Sequence, residues 1–339
     1  MANFKIGAYT TTRNTESMAY PFVESISSVL SFVDELVVVD TSDGSDSTKK
    51  ILEDLTNKNK KKLRVIDATN LFDWKAKNHG IFDGQTKALA RNHCKSTFLF
   101  QFDVDEIVHE EDSHKVREFI IENDYLQNFP IVAFPVIEYW GSKGKVRMDI
   151  NPWKERLSRN LPDITHGIPM TLRRRINGLD YGSPGTDSCN MISKTTGNPL
   201  AITTFMDQSI MQLQTNALKN PKALSEYETW FNQAVKKLPG VHHYSWFSIE
   251  RKIRQYKVFW TDFWNSMYGI ETNERENPMF PGKLWSEVSD EEIKSYAQTL
   301  ENSTGGHIFH KPWDGAYVPS IHVDREHPEI MKSWLMNYH

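Results

Sequence analysis

Cysteine is nearly absent: Cys94 and Cys189 are the only two in 339 residues. Two thiols cannot build a disulfide scaffold, and their scarcity fits a reducing, cytoplasmic setting. Long apolar runs are missing as well. No stretch approaches the roughly 20 residues that span a bilayer, and Met1 to Thr10 lack the apolar segment of a secretion signal. There is no surplus of basic charge: 40 Lys and Arg face 44 Asp and Glu, a formal net charge of −4. A protein that wraps nucleic acid needs a cationic excess to displace counterions, so nucleic acid is not an expected partner. No internal repeat is visible. His307, His310, His322 and His327 have no cysteine near them and fit no compact zinc spacing. The short basic run from Lys58 to Lys62 reads as a solvated loop.

What is present suits a folded enzyme-sized chain. Apolar residues make up 39% of it, enough for a substantial core, and aromatics are plentiful at 10 Trp, 12 Tyr and 18 Phe, with most of the Trp beyond residue 130. Length alone suggests about two domains. The first 110 residues alternate regularly. Phe4–Thr10 is strand-like, and Pro21 opens a helical stripe through Ile26, Val29, Leu30 and Val33. Glu35–Asp40 is a continuous β-branched run of the kind found in buried parallel strands. Ser47–Leu55 is helical, Leu63–Ile66 a strand, Gln85–Lys95 helical and Thr97–Phe102 a strand. This alternation predicts βαβ units, hence an α/β fold with helices on both faces of a mostly parallel central sheet. Beyond 110 the pattern loosens. Val116–Asn123 reads as a helix, and Pro130–Trp140 as a strand that Pro135 should confine to an edge or a bulge. Residues 141–200 read as loops with short strands. Ser245–Tyr268 reads as a helix with an aromatic stripe and with Arg251, Lys252 and Arg254 on its polar face, suiting either the core or a peripheral membrane contact.

Ligands in open α/β sheets bind beyond the carboxyl ends of the strands. Here those ends are polar: Tyr9–Asn14, Asp40–Asp46 and Phe102–Glu106. Asp103 and Asp105, separated by one residue at a strand end, should point to one side. Two carboxylates so close in a cleft repel unless a cation lies between them, and a hard ion such as Mg²⁺ or Mn²⁺ suits oxygen ligands and phosphate. Asp40, closing a buried strand, suits a ribose hydroxyl or a base N–H.

These segments resemble a family. Asp40–Thr48 after an apolar strand, with Asp34 and Glu35 before it, is similar to the first fingerprint of family 2 glycosyltransferases. Thr86–Asn92, the following strand and Phe102–Glu106 are similar to the second, and Thr10–Arg13 extends the likeness over residues 4–110. Val241–Trp246, leading into the long helix, resembles a His-Tyr-Ser segment of bacterial members that act on lipopolysaccharide cores and related glycans. The resemblance implies a GT-A (Rossmann-like) fold with an acceptor-side α+β extension and C-terminal helices. The parts would be a nucleotide-sugar-binding half (1–110), an acceptor-side half (111–240) and a helical extension (241–339). It implies transfer of a sugar from a nucleoside diphosphate, UDP or GDP, to a glycan or glycolipid. The donor would meet Thr10, Arg13, Asp40, Asp43, Lys87, Arg91 and Asp103. Asp103, Asp105 and His243 would hold the divalent metal, with His242 the competing imidazole. A nucleotidyltransferase on a similar sheet would carry a Gly-rich loop after the first strand, and Tyr9–Asn14 has no glycine. A glycan-binding protein with a decayed core is the other alternative, against which Asp103 and Asp105 argue.

An inverting transferase also needs a base for the acceptor hydroxyl. Asp187 and Glu138 are the candidates, a turn cap being the other role open to Asp187. Aromatic faces stack on sugars, so Tyr139, Trp140 and Tyr181, with Trp153, are expected on the acceptor side or in the core. Arg173–Arg175 could grip an acidic acceptor or form an exposed charged strand.

Overall fold

The computed structural model describes residues 4–71, 79–122, 129–141, 144–148, 151–167, 190–198, 200–257, 279–302 and 319–338. Hydrophobic alternation and β-branching build its first layer: β1 (Ile6–Thr12), β2 (Glu35–Asp40), β3 (Leu63–Asp67) and β4 (Phe98–Gln101). They pair in parallel in the order β3-β2-β1-β4. Helices α1 (Phe22–Leu30), α2 (Thr48–Lys58) and α3 (His79–Asn92) make the crossovers between them. Each strand and helix is found where the sequence places it, except that α3 begins six residues earlier, at His79 rather than Gln85. Leu36 to Val39 are buried on both faces of the sheet, which is why that run does not alternate.

Beyond residue 105 the chain adds β5 (Glu106–Val108), α4 (Lys115–Glu122), β6 (Ile131–Trp140), β7 (Lys145–Arg147), β8 (Trp153–Arg159), β9 (Ile164–His166), β10 (Met191–Ser193) and β11 (Ile202–Thr203). Then come α5 (Gln208–Ala217), α6 (Pro221–Lys237), β12 (Val241–Trp246), a helix over residues 249–257 (α7), α8 (Asp290–Asn302), β13 (Ser320–His322) and α9 (Lys332–Leu335). The main path of the eleven-stranded sheet is β13-β7-β6-β8-β4-β1-β2-β3, with β11 and β12 beside β6 and β5 beside β12. The sheet is therefore parallel in its first part and mixed beyond β4, because β8 runs antiparallel to both β4 and β6. Local chemistry starts α5 and α6: Asp207 accepts from the Ser209 and Ile210 amides, and Asn220 caps a helix whose first residue is Pro221.

Two expectations are corrected. Pro135 does not make β6 an edge, since all ten residues of the strand are buried with neighbours on both sides; the alternative, a bulge, is matched nearby by a register shift against β8 between Val132 and Ala133. The Val136 amide bonds the Pro152 carbonyl on the β8 side, so the position of the missing Pro135 N–H faces the other side. There β11 pairs only with Ile131 and Val132, and β12 begins only at Val136, so no ladder bond is lost. Val241–Trp246 leads into α7, but it is itself a fully buried strand between β5 and β6, so Ser245 and Trp246 belong to the strand and not to the helix.

The aromatic surplus fills the second core. Tyr227, Phe231, Tyr244, Phe247 and Trp334 pack together, and Trp140 stacks on Trp246 with ring centroids 5.2 Å apart. Arg251 is buried and Lys252 lines a cleft, so that stretch of α7 is not a solvated basic face. No helix among the described residues is long and apolar enough to cross a membrane.

Candidate active site

The carboxyl ends of β1, β2 and β4 open onto a cleft of about 300 Å³. Thr11, Thr12 and Arg13 reach it from β1, Thr41 from the end of β2, and Thr86 and Lys87 from α3. Asp103 and Asp105 come from the turn between β4 and β5, His243 and Ser245 from β12, and Lys252 from α7. Topology brings β12 here: it pairs antiparallel with β5, which follows Asp105 directly, and the Tyr244 amide bonds the Asp105 carbonyl at 2.8 Å.

The two aspartates share the cleft but not their partners. Asp103 lies 3.1 Å from Lys87 Nζ and 3.4 Å from Arg156 Nη2. Burial raises its pKa, and the facing Lys87 and Arg156 outweigh that and hold it well below the ordinary carboxylate range. Asp105 Oδ1 lies 3.2 Å from His243 Nε2, while His243 Nδ1 donates a very short hydrogen bond to Glu138. Burial raises the Asp105 pKa too, and the neighbouring imidazole pulls it back down below the usual range. Burial lowers the His243 pKa, but Glu138 and then Asp105 more than reverse this, to about 9. The imidazolium is therefore the form held between them. Glu138 settles at about 2, where His243 overcomes its burial.

Alternation in β12 sends the two histidines to opposite sides. His243 faces the cleft. His242 faces the opposite core, where its Nδ1 meets the Tyr139 hydroxyl at 2.7 Å and burial pushes its pKa far down. A second layer of charge supports the first. Glu106 is buried, pairs closely with Arg156, lies 3.5 Å from Lys154 and accepts the Asp103 amide at 3.1 Å. Lys252 donates to Ser245 Oγ at 2.6 Å, and burial lowers its pKa to about 8 despite Asp105.

The other predicted residues fall into four groups. Arg13 lines the cleft, donating to the Thr41 carbonyl at 2.6 Å and pairing with Asp43 at 3.5 Å on the rim. Asp40 lies beneath the lining: it accepts from Thr12 Oγ1 at 2.8 Å and from Ser42 Oγ at 2.6 Å, and so shapes the loop above it. Thr10, Arg91, Tyr139 and Trp140 are core residues that do not line the cleft. Arg91 is spent on the Ile164 and Arg159 carbonyls and on Ser158 Oγ, tying α3 to β8 and β9. Trp140 Nε1 donates to the Leu300 carbonyl. Asp187, Tyr181 and Arg173–Arg175 lie outside the described residues. Sequence reasoning missed Lys154, Arg156, Glu106 as a hub, and Lys252. The one available signal was Lys154 and Arg156 two positions apart in an alternating segment, which places both on one face of a strand.

Among the described residues, no group of three or more His, Cys, Asp or Glu converges as a metal cluster. Asp105 and His243 are close enough to serve one ion, as an oxygen and an imidazole ligand, the ion taking the place of the Nε2 proton that otherwise faces Asp105. Asp103 fits less well, because its carboxylate already faces two cations.

Residues 8–175 match the family model described as glycosyl transferase family 2. No curated protein matches the chain. Among solved structures the chain is similar to residues 1–349 of S. aureus TarS in complex with UDP-GlcNAc, at 14% identity and a TM-score of 0.33, over 92% of this chain and 93% of that one. Against a longer TarS structure it spans 56% of that chain. It is also similar to the mannosyltransferase PcManGT of Pyrobaculum calidifontis in complex with GDP-Man and Mn²⁺, at 11% identity and a TM-score of 0.33, over 70% and 73% of the two chains. At such TM-scores these overlaps carry no argument about this chain.

Proposed function

The chain is a glycosyltransferase of family 2, matched over residues 8–175, and on that premise we propose that it moves a sugar from a nucleoside diphosphate to a glycan or glycolipid acceptor. The observation that carries the reading is the meeting of Asp105 and His243, from β-segments far apart in the chain, at the carboxyl ends of the parallel strands. The nucleoside would lie along Thr11–Arg13 and Thr41, with Asp40 acting through Thr12 and Ser42 rather than by contact. Asp105 and His243 would hold a divalent ion, Mn²⁺ or Mg²⁺, with Glu138 orienting the imidazole through Nδ1. Such an ion supplies positive charge to the departing diphosphate. Lys252, beside Ser245 and within the cleft, adds a cation of the protein's own there. Asp103 positions Lys87 and, with Glu106, the Arg156 guanidinium.

Glu138 is engaged by His243 and is a poor base for the acceptor. Asp187 remains our choice, and with it an inverting course. A reducing, cytoplasmic location and peripheral membrane contact belong to the same proposal.

A thermal-shift panel of UDP-, GDP-, CMP- and dTDP-sugars, each with and without Mn²⁺, tests the reading. A ligand that binds only the native state raises its melting point by mass action. We expect one nucleotide class to stabilise the protein, and only with metal present. No shift with any pair, or an equal shift in excess EDTA, would overturn the donor and metal assignments.

A further inference from the structure

Strand β12 does not run evenly past its second histidine. His243 stands opposite Glu138 on β6, and the next registered pair is Trp246 with Trp140, three steps on β12 against two on β6. This is a β-bulge over Tyr244–Ser245, and pairing with β5 also ends at His243. The extra residue sets Trp246 rather than Ser245 beside Trp140, where the two rings stack. Ser245 stays at the cleft and accepts from Lys252. Bulges re-aim side chains next to active sites, and each leaves backbone groups outside the ladder that need partners.

One side chain takes the carbonyls of both bulged residues. Arg251, in the first turn of α7 and only 6% exposed, donates from Nη2 to Tyr244 O at 2.8 Å and to Ser245 O at 3.1 Å. Its guanidinium lies between two rings, with Cζ 5.2 Å from the Tyr20 centroid and 5.7 Å from that of Trp334. The charge is thus met by two carbonyls and two aromatic faces, contacts that strengthen where water is excluded. Tyr20 belongs to the wall of the cleft and Trp334 to α9, whereas Arg251 does not line the cleft. Gln255, one turn further along α7, donates to the Met18 carbonyl at 3.0 Å and so ties down the loop that leads to Tyr20. A side chain that only filled this space would be cheaper as a hydrocarbon, which has no charge to desolvate. An apolar chain cannot bond two carbonyls at once.

We propose that Arg251 is a positioning residue for the transfer reaction: it fixes the bulge of β12, and with it the placement of His243 against Asp105 and of Ser245 against Lys252. Its bearing on the reaction rests on Asp105 and His243 as metal ligands; the clamp rests on the bulge alone.

The test is hydrogen–deuterium exchange of two amides, read by NMR on the full chain. The Tyr244 amide reports the clamp, because it bonds the Asp105 carbonyl at 2.8 Å. The Val38 amide, in a buried strand paired on both sides, reports global opening. In Arg251→Met, Tyr244 exchange should rise at least about tenfold relative to Val38, as local loss of charge-assisted bonds predicts. Arg251→Lys, whose ammonium keeps the charge and a donor, should fall between that variant and wild type. Should Arg251→Met not fold, Arg251→Gln takes its place with the same expectation, being too short to reach both carbonyls. An unchanged ratio in a folded variant, whether both amides hold or both speed up together, would mean that Arg251 serves stability alone and would overturn the proposal. Titration of the same proteins with Mn²⁺ alone reads the consequence for the site. Affinity should fall about tenfold in Arg251→Met, the lower end of what a lost supporting contact costs a metal site. Equal Mn²⁺ affinity in wild type and Arg251→Met would overturn the positioning role. A wild type that takes up no Mn²⁺ would instead overturn the metal assignment, and the exchange ratio would still decide the clamp.

Discussion

The acids at the tips of β2 and β3 and those at the crossing of β4, β6 and β12 are satisfied in different ways. In the first region every acid has a local partner beside any remote one. Asp40, Asp43, Asp46 and Asp67 each accept the amide of the Ser or Thr two positions on. These are Asx-type turns, available as soon as the loop forms. In the second region the partners are remote. Glu106 and Arg156 are 50 residues apart, Asp103 and Arg156 are 53, and Glu138 and His243 are 105. Those contacts exist only when the sheet is assembled, and all but the Asp103 end are buried. The comparison teaches that equal-looking carboxylates carry unequal stakes. A local turn shapes a loop, whereas the buried lattice couples four strands, β5, β6, β8 and β12, and presents Asp105 and His243 to the cleft.

The largest effect should come from breaking that lattice. Glu106→Ala leaves the fully buried Arg156 without its close partner and Lys154 without one of its acids. Removing one member of a buried ion pair typically costs about 3–5 kcal/mol, and we expect a loss of that order in the urea midpoint. A loss below about 1 kcal/mol would mean that solvent reaches Arg156 and that the two regions do not differ in kind. Asp105→Asn should be gentler on the fold, because His243 keeps Glu138. Its effect belongs to turnover: we expect a fall of about 10²–10³-fold in kcat, the scale seen when one preorganised electrostatic group is removed. Comparable kcat in Asp105→Asn and wild type would remove this crossing from the chemistry.

The same contrast explains what the sequence made legible. Glu35–Asp40 announces a buried strand by composition, and its boundaries match those of β2. The Asp103–Asp105 spacing pointed to a polar cleft because both residues lie next to their own strand end. The Val241–Trp246 strand was obscure because His242, His243 and Ser245 are polar, yet all are buried. What makes that tolerable is Tyr139 and Glu138 on the neighbouring strand, a pairing no local pattern encodes. Its position in a motif points Arg91 toward the donor, but its fork is filled by carbonyls of β8 and β9, strands whose composition resembles loop. The aromatic residues of β6 were candidates for sugar stacking on chemistry alone. Their contacts with Trp246, Tyr244 and His327 assign them to packing instead.

A smaller perturbation sharpens the local side. Ser42→Ala removes one hydroxyl from the buried Asp40 while leaving the Thr12 hydroxyl and the residue 42 amide in place. A single hydrogen bond to a charged group contributes roughly 1.5–3 kcal/mol when lost outright, and the two remaining donors should hold the loss to about 1 kcal/mol. A value near that of Glu106→Ala would show that the loop, too, depends on a single contact.

The smallest effect should come from a pair that looks strong by distance. Lys49 Nζ and Asp67 Oδ2 are 2.9 Å apart, closer than Asp105 and His243, but their side chains are 37% and 66% exposed. Water and salt already solvate both charges, and such pairs typically contribute about 0–1 kcal/mol. Asp67 also keeps its low pKa, about 2, chiefly through the Thr69 hydrogen bonds rather than through Lys49. Lys49→Ala should therefore shift the urea midpoint barely, and whatever shift appears at low ionic strength should vanish in about 1 M salt, where the screening length falls to roughly 3 Å. The loss in Glu106→Ala should survive the same salt, because the lattice is sealed from it. If the two variants responded to salt alike, burial would not be what separates the regions, and the remote network would be an ordinary surface array that happens to line a cleft.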